Sequence, residues 1–195
     1  AQDKTHTGYW PALDAHLLLG RALWGITQYD EAKLVLTRAR EMSPDDARVH
    51  YWLGLAQLAG RSYSDAEDSL RTALRLWPSF ADAKADLGAA LAGQKRFAEA
   101  LPLLSEAVDR GRGTPWRHRA LAEIYIDGGR FEDAARHLQI AVAANSSNAN
   151  EHARLAWVYW KLGDVERARN EIGIAEELDD GGSNYLQQVR NQIGG

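Results

Sequence analysis

Four of the six histidines recur at a fixed spacing, so metal binding is the first chemistry to consider. His16, His50, His118 and His152 hold the same place in segments of 34 residues. A shared metal ion needs ligand nitrogens within a few ångströms of one another. Equivalent places on neighbouring helical hairpins are separated by at least a helix-packing distance, about 10 Å. We therefore predict that these histidines fill the space between neighbouring hairpins and that no metal is bound.

Other catalytic patterns are missing from the sequence. It has no His-Glu-x-x-His, no Gly-x-x-x-x-Gly-Lys-Ser/Thr and no Gly-x-Ser-x-Gly, the motifs of zinc hydrolases, phosphate-binding loops and serine hydrolases. Cysteine is absent, which removes thiol nucleophiles and thiolate ligands. The acidic and basic residues fall at exposed helical spacings. The sequence thus predicts no enzyme activity and no cofactor.

Composition and charge limit the classes of partner that the protein is expected to bind. The formal net charge is -4 and is spread along the chain, unlike the basic surface of a nucleic-acid-binding protein. No stretch reaches the roughly 18 consecutive apolar residues of a membrane span, and residues 1–12 have no apolar signal-peptide core. We expect a chain that neither binds nucleic acid nor spans a membrane, and the compartment stays open between cytoplasm and periplasm.

An internal repeat of 34 residues organises the chain and must position any site. Five segments begin at Leu13, Ala47, Ala81, Pro115 and Ala149 without insertion or deletion. The same residue types recur in register at four positions: the seventh (Leu19, Leu53, Leu87, Leu121, Leu155), the eighth (Gly20, Gly54, Gly88, Ala122, Ala156), the twentieth (Ala32, Ala66, Ala100, Ala134, Ala168) and the twenty-seventh (Ala39, Ala73, Ala107, Ala141, Ala175).

Each segment is predicted to form two helices joined by a tight turn. Apolar residues recur at helical spacing, break, and recur. Gly60, Gly128, Gly129 and Gly163 fall in the breaks and are expected to supply unusual backbone angles. Residues 43–46, Thr114-Pro115 and Asn148 are predicted to begin helices. Small residues at the eighth and twentieth positions should let the paired helices approach closely.

This pattern resembles the tetratricopeptide repeat family, with departures: histidine mostly replaces the usual tryptophan at the fourth position, and the last three segments lack the terminal proline. The resemblance implies an all-α fold, an α-solenoid of antiparallel helix hairpins stacked as a right-handed superhelix. We expect an N-terminal arm at 1–12, five repeats over 13–182 (13–46, 47–80, 81–114, 115–148 and 149–182), and a capping helix with a tail at 183–195.

The resemblance also implies that the first helix of each hairpin lines a concave groove. Residues expected there recur at spacings of three and four, which mark one helix face. The predicted ligand-binding groove comprises Leu17, Arg21, Trp24, Tyr51, Trp52, Leu55, Asp82, Ala85, Asp86, Ala89, Trp116, Arg119, Glu123, Trp157 and Trp160.

Tryptophans dominate this set at both ends of the array, and large aromatic residues are frequent interface anchors. In the middle, Ala85 and Ala89 leave space, and Asp82 and Asp86 supply negative charge. We expect a cavity with aromatic walls and an acidic floor that takes a peptide or protein segment with apolar anchors and a basic group. Two acids in the groove would repel the terminal carboxylate that chaperone-binding family members grip.

Three functions follow as hypotheses. The first is a scaffold or adaptor that binds a protein segment in the groove. The second is self-association through the arm at His6–Pro11, which carries Tyr9 and Trp10. The third is an interaction module of a bacterial cell-envelope machine for secretion, pilus assembly or polysaccharide export.

Overall fold

Eleven α-helices make up the described part of the chain, which in this computed structural model comprises residues 10–179 and 184–193. Their bounds are α1 Trp10–Gly25, α2 Tyr29–Met42, α3 Ala47–Ala59, α4 Tyr63–Leu76, α5 Ala81–Gly93, α6 Phe97–Asp109, α7 Pro115–Asp127, α8 Phe131–Ala144, α9 Ala149–Lys161, α10 Val165–Leu178 and α11 Asn184–Ile193. Residues 1–9, which hold most of the predicted arm, lie outside the described residues.

Helix starts recur with the 34-residue period. The second helices begin at Tyr29, Tyr63, Phe97, Phe131 and Val165, always the seventeenth position of the segment. The first helix is the exception, because α1 begins at Trp10, three residues before the repeat frame and inside the predicted arm. Trp10 and Pro11 are therefore part of α1.

Small residues bring the two helices of each hairpin together. A Cβ at Gly20 would lie 2.5 Å from Leu36 Cγ, and one at Gly54 would lie 2.8 Å from Leu70 Cγ. Both distances are too short for real carbon contacts, so only glycine fits without a shift of the facing leucine. The alanines at the twentieth position are completely buried throughout: Ala32, Ala66, Ala100, Ala134 and Ala168. The predicted close approach is confirmed.

The turn inside each hairpin depends on one residue with positive φ. This residue is always the fifteenth of its segment: Thr27 (φ 65°), Arg61 (61°), Lys95 (62°), Gly129 (70°) and Gly163 (78°). The prediction that glycines supply the unusual backbone angles of the turns was right for Gly129 and Gly163. It was wrong for Gly60 and Gly128, which have ordinary φ values of −77° and −79°, because the left-handed residue is the next one along.

Side chains of Asp46 and Asn148 cap the helices that follow them. Asp46 accepts from the backbone N–H of Arg48, and Asn148 accepts from Asn150 and Glu151. Thr114 holds the equivalent place before α7 without a side-chain cap bond, and Pro115 starts that helix. Proline suits this place because the first helical N–H has no partner within the helix.

The chain forms two compact units, residues 1–103 and 104–195. In the first unit, α2 packs between α1 and α3, and α4 packs between α3 and α5. The core around α1 to α3 contains Leu13, Leu17, Leu36 and Leu53. In the second unit, α8 packs between α7 and α9, and α9 also contacts α10 and α11. Stacked antiparallel hairpins in each unit confirm the all-α fold class.

Candidate binding surface

A series of aromatic rings runs through the first unit from α1 to the loop before α5. Ring centroids lie 6.1 Å apart for Trp24 and Trp52, 5.4 Å for Trp52 and Tyr51, 4.6 Å for Tyr51 and Phe80, and 4.5 Å for Phe80 and Trp77. These separations suit edge-to-face and offset contacts, each worth about 0.5–1.5 kcal/mol beyond simple burial. We call these five residues the ring series.

The ring series is at least partly exposed to solvent along its length. Trp77 is 47% exposed, and the other four residues are partly exposed. Trp24 and Trp52 rest against the core of the first unit, so their positions are fixed from below. The rings of Trp24 and Trp52 thus have one side on the core and the other partly accessible to solvent.

Polar groups next to the rings set the charge of this surface. The guanidinium of Arg21 lies 4.8 Å from the ring centroid of Trp52, and Arg21 itself is exposed. Such a contact is a cation–π interaction worth about 0.5–1 kcal/mol at an exposed site. The hydroxyl of Tyr51 donates to Asp86 Oδ2 at 3.2 Å, which fixes the tyrosine ring beside Trp52.

Several predicted groove residues are buried instead of lining an open surface. Five of them have exposed fractions of 6% or less: Leu17, Leu55, Ala85, Asp86 and Ala89. Asp86 is completely buried and is covered in part by Tyr51, and only Asp82 is partly exposed. The predicted open floor with two acids therefore needs correction, because alanines of α5 lie below the surface and Tyr51 covers the second carboxylate.

The second unit has its own first-helix face, and it is crossed by ion pairs. Arg119 of α7 lies 3.3 Å from Glu151, and Arg154 of α9 lies 3.1 Å from Glu123. Glu151 is 6% exposed, so one of these pairs is largely desolvated. Trp116 is partly exposed, and Arg117 lies 5.9 Å from its ring centroid.

Trp157 and Trp160 lie together near the C-terminal helix. Lys161 Nζ is 5.2 Å from the Trp157 ring and 4.6 Å from the Trp160 ring. The Trp157 indole N–H donates to Gln192 Oε1 of α11 at 2.9 Å. The structure thus brings Trp157 together with Trp160, but it also places part of α11 against Trp157.

Helix α11 covers the last hairpin with an apolar side. Leu186 and Val189 are buried, and Gln187, Gln188 and Asn191 are exposed. Tyr185 packs on the cluster that contains Leu186, Ala153 and Ala175. Burial raises the pKa of the Tyr185 hydroxyl, although Arg154 lies 5.2 Å from its ring.

The repeated histidines are packing residues with hydrogen bonds to nearby groups. His50 Nε2 donates to the Pro44 carbonyl at 2.7 Å, and His152 Nδ1 lies 2.7 Å from Glu171 Oε2. His118 Nδ1 lies 2.8 Å from Nδ1 of His137. Desolvation lowers the pKa of both members of this pair, and the neighbouring His118 lowers that of His137 further. Residues 10–179 and 184–193 contain no cluster of three or more histidine, cysteine or acidic side chains that could hold a metal ion.

Two members of the ring series, Trp77 and Phe80, were not predicted from the sequence. They flank Pro78 and Ser79 in the loop between α4 and α5, and sequence reasoning placed the site on first helices only. The sequence did contain a signal for these two residues, since residues 77–80 are Trp-Pro-Ser-Phe. Two aromatic residues in a short loop are costly to leave without a contact.

Stacked antiparallel helical hairpins define the class of helical repeat proteins. Family models described as tetratricopeptide repeat match residues 17–70 and 58–115, and a second such model matches residues 91–150. The chain belongs to the tetratricopeptide repeat family. Its members are typically non-catalytic scaffolds, and the fold is consistent with protein–protein interaction. No helix in the described residues combines the length and apolarity of a membrane span.

Known proteins resemble this chain in part of its sequence or in fold. The TPR repeat-containing thioredoxin TTL4 of Arabidopsis thaliana is 32% identical over 84 residues, which are 43% of this chain and 12% of that protein. The chain therefore matches only a small part of that relative's length.

Solved structures extend the likeness of fold. PilF of Pseudomonas aeruginosa matches 96% of this chain and 85% of its own at 20% identity, with a TM-score of 0.69. TTC0263, a TPR protein of Thermus thermophilus, matches 93% and 97% at 22% identity, with a TM-score of 0.64. YrrB, described as a TPR protein with an unusual peptide-binding site, matches 94% and 98% at 16% identity, with a TM-score of 0.57. At these identities the likeness shows the fold alone.

Proposed function

We propose that this protein is a scaffold that binds a segment of a partner protein on the ring series of its first unit. The observation that carries this proposal is a continuous set of five rings that are all at least partly exposed, two of which, Trp24 and Trp52, rest on the core. Exposed aromatic surface is costly in water, and Trp and Tyr are enriched among residues that dominate interfaces. YrrB is described as having a peptide-binding site, but the proposal for this chain rests on its own rings.

The chemistry of the partner follows from the groups around the rings. Apolar side chains gain most from contact with Trp52, Tyr51 and Trp77, because they replace water on the ring faces. For a basic group of a partner, Asp86 is buried and Asp82 alone of the two acids is partly exposed, whereas the exposed Arg21 lies over the Trp52 ring. We propose instead a segment with apolar anchors and an acidic residue that pairs with exposed Arg21.

Trp116, Arg119, Glu123, Trp157 and Trp160 form a secondary candidate surface in the second unit. Here Arg119 and Glu123 are each engaged in an ion pair within the unit, so a ligand gains less from them. Trp160 and Trp116 are the residues of this surface that we propose as contacts.

A peptide selection against the purified protein tests this function. Peptides displayed at random should be enriched in apolar residues next to Asp or Glu. Trp77→Ala is the key variant, because Trp77 lies in a loop and is 47% exposed, so its loss spares the core. We expect selected peptides to bind this variant at least about tenfold more weakly, a difference of about 1.4 kcal/mol.

The matched control is Ile140→Ala, which removes a residue of α8 that is 48% exposed. It should leave affinity and melting temperature unchanged. Arg21→Gln should weaken only the peptides that carry an acidic residue. Failure to enrich any peptide, or equal affinity for Trp77→Ala and the wild type, would contradict the proposed function.

A further inference from the structure

Helix α1 exposes an apolar stripe on the side opposite its core contacts. Leu18 is 62% exposed and Leu19 is 50% exposed, and Ala15 and Ala22 are also exposed. Spacings of three and four residues place these four side chains on one face of the helix. Leu13 and Leu17 of the same helix are buried in the core, so the stripe is a second apolar face.

In the other repeats two positions of this face, those of Leu19 and Ala22, are covered. Residues equivalent to Leu19 are buried, with exposed fractions of 1–6%: Leu53, Leu87, Leu121 and Leu155. Those equivalent to Ala22 are also buried, at 0–8%: Ala56, Ala90, Ile124 and Val158. In the later repeats a preceding second helix lies against the first helix, as α2 does on α3, α4 on α5 and α8 on α9.

The order of residues along the stripe points to its occupant. Ala15, Leu18, Leu19 and Ala22 read the same in both directions about the point between Leu18 and Leu19. Two such helices packed antiparallel around a two-fold axis place each leucine on a leucine and each alanine opposite an alanine. In a two-fold interface residue i of one subunit meets residue j of the other and the reverse, and this residue order makes the meeting side chains of the same type. The alanines allow the helix axes to approach closely.

We propose that the α1 stripe is the docking face for a second copy of this chain, with the two α1 helices antiparallel. The two-fold axis passes between Leu18 and Leu19, so Ala15 faces Ala22 of the partner subunit. The stripe carries no charged residue, so no like charges meet at its centre. Trp24, the member of the ring series on α1, packs with the core on the far side of the helix.

Solution mass tests whether the copies associate through this face. Light scattering should give a mass near twice 21.6 kDa. The protein concentration is varied between about 1 and about 100 µM, because a small interface dissociates in this range. Leu18→Gln with Leu19→Gln should give a monomer with unchanged helicity, because both side chains are exposed. Ile140→Gln changes an exposed residue of the second unit and should leave the dimer intact.

Disulfide trapping tests the antiparallel register, because the chain contains no cysteine. An oxidised mixture of Ala15→Cys and Ala22→Cys proteins should form a cross-linked dimer of one copy of each. Either variant alone should stay uncross-linked, since equal positions would lie about 10 Å apart along the antiparallel helices. A monomeric wild type at the highest concentration, a double glutamine variant that still dimerises, or cross-linking of one variant with itself would overturn the proposal.

Discussion

The ring series shows how much a single loop residue contributes to a surface. The Trp77 ring packs at a tilt against Phe80, with the ring centroids 4.5 Å apart, and its indole N–H donates to Ser79 Oγ at 2.8 Å. These two contacts fix an exposed ring outside any helix. The aromatic surface therefore extends beyond the first helices to the loop that joins α4 and α5.

A second set of residue contacts ties the second and third hairpins of the first unit together. Arg96 and Gln94 donate to Glu67 at 2.8 Å, and Arg71 pairs with it from the same helix. Desolvation raises the pKa of Glu67, but the hydrogen bonds from Gln94, Arg71 and Arg96 outweigh it and hold that pKa below the ordinary value. The carboxylate thus stays charged and stabilises the hairpin contact.

The His118–His137 pair makes folding stability sensitive to mild acid. Desolvation lowers both pKa values below the ordinary value of about 6.5. Unfolded chains then bind more protons than folded ones, so this contribution is present above about pH 6.5 and is lost as the pH falls toward the folded pKa values. Urea titrations followed by circular dichroism should give a lower free energy of unfolding at about pH 5.5 than at about pH 7.5.

His137→Gln isolates this contribution. It removes one titrating ring beside Asp133 and Arg136, which act on the pKa of His137 in opposite directions. We expect the difference in stability between the two pH values to shrink in the variant. An unchanged difference would mean that other groups cause the acid sensitivity.

At the scale of the elements, the hairpin turn uses the same backbone shape in all five repeats with different residues. Thr27, Arg61 and Lys95 adopt positive φ where Gly129 and Gly163 do so. A left-handed conformation costs a residue with a side chain about 1–2 kcal/mol, and a β-branched residue is the least suited. The first three hairpins therefore fold against a local cost that the last two do not have.

Thr27→Gly should stabilise the protein by about 1 kcal/mol, because glycine relieves this cost and loses part of the gain to chain entropy. Gly129→Thr is the reverse change, and nothing lies within 4 Å of its added Cβ, so its effect reports backbone strain alone. It should destabilise by about 1–2 kcal/mol. Thermal melts of both variants check the pair, and shifts in the same direction would refute the argument.

Helix α11 provides a second element to test. Leu186 is 4% exposed and packs with Ala153 and Ala175, so Leu186→Ala should weaken the docking of α11 by about 2–5 kcal/mol. Hydrogen exchange over residues 184–193 should then rise, and it should rise little in the control Gln187→Ala, because that residue is exposed. Equal protection in both variants would show that Leu186 does not hold the helix.

The sequence predicted the helices and their close packing better than it predicted which side chains are exposed, and the reason is physical. Periodic leucine and alanine positions report core packing, which recurs in every hairpin, so helix pairs and close approaches followed from spacing. The burial of Asp86 did not follow, because Tyr51, which donates to its carboxylate, belongs to the preceding repeat. Trp77 and Phe80 lie in a loop, where helical periodicity gives no information.

At the scale of the whole molecule, the two units carry different surfaces. The first unit presents an open ring series with Arg21 beside it, and the second presents ion pairs and a tryptophan that is hydrogen-bonded to α11. A partner segment with apolar anchors should therefore bind the first unit in preference to the second.

Indole N–H signals in a ¹⁵N-labelled NMR titration test this claim most directly. Each of the seven tryptophans gives one such signal, which replacement of single tryptophans assigns. Adding a selected peptide should shift the signals of Trp24, Trp52 and Trp77 and leave those of Trp157 and Trp160 in place. Shifts confined to Trp116, Trp157 and Trp160, with the signals of the ring series unmoved at saturation, would contradict the account.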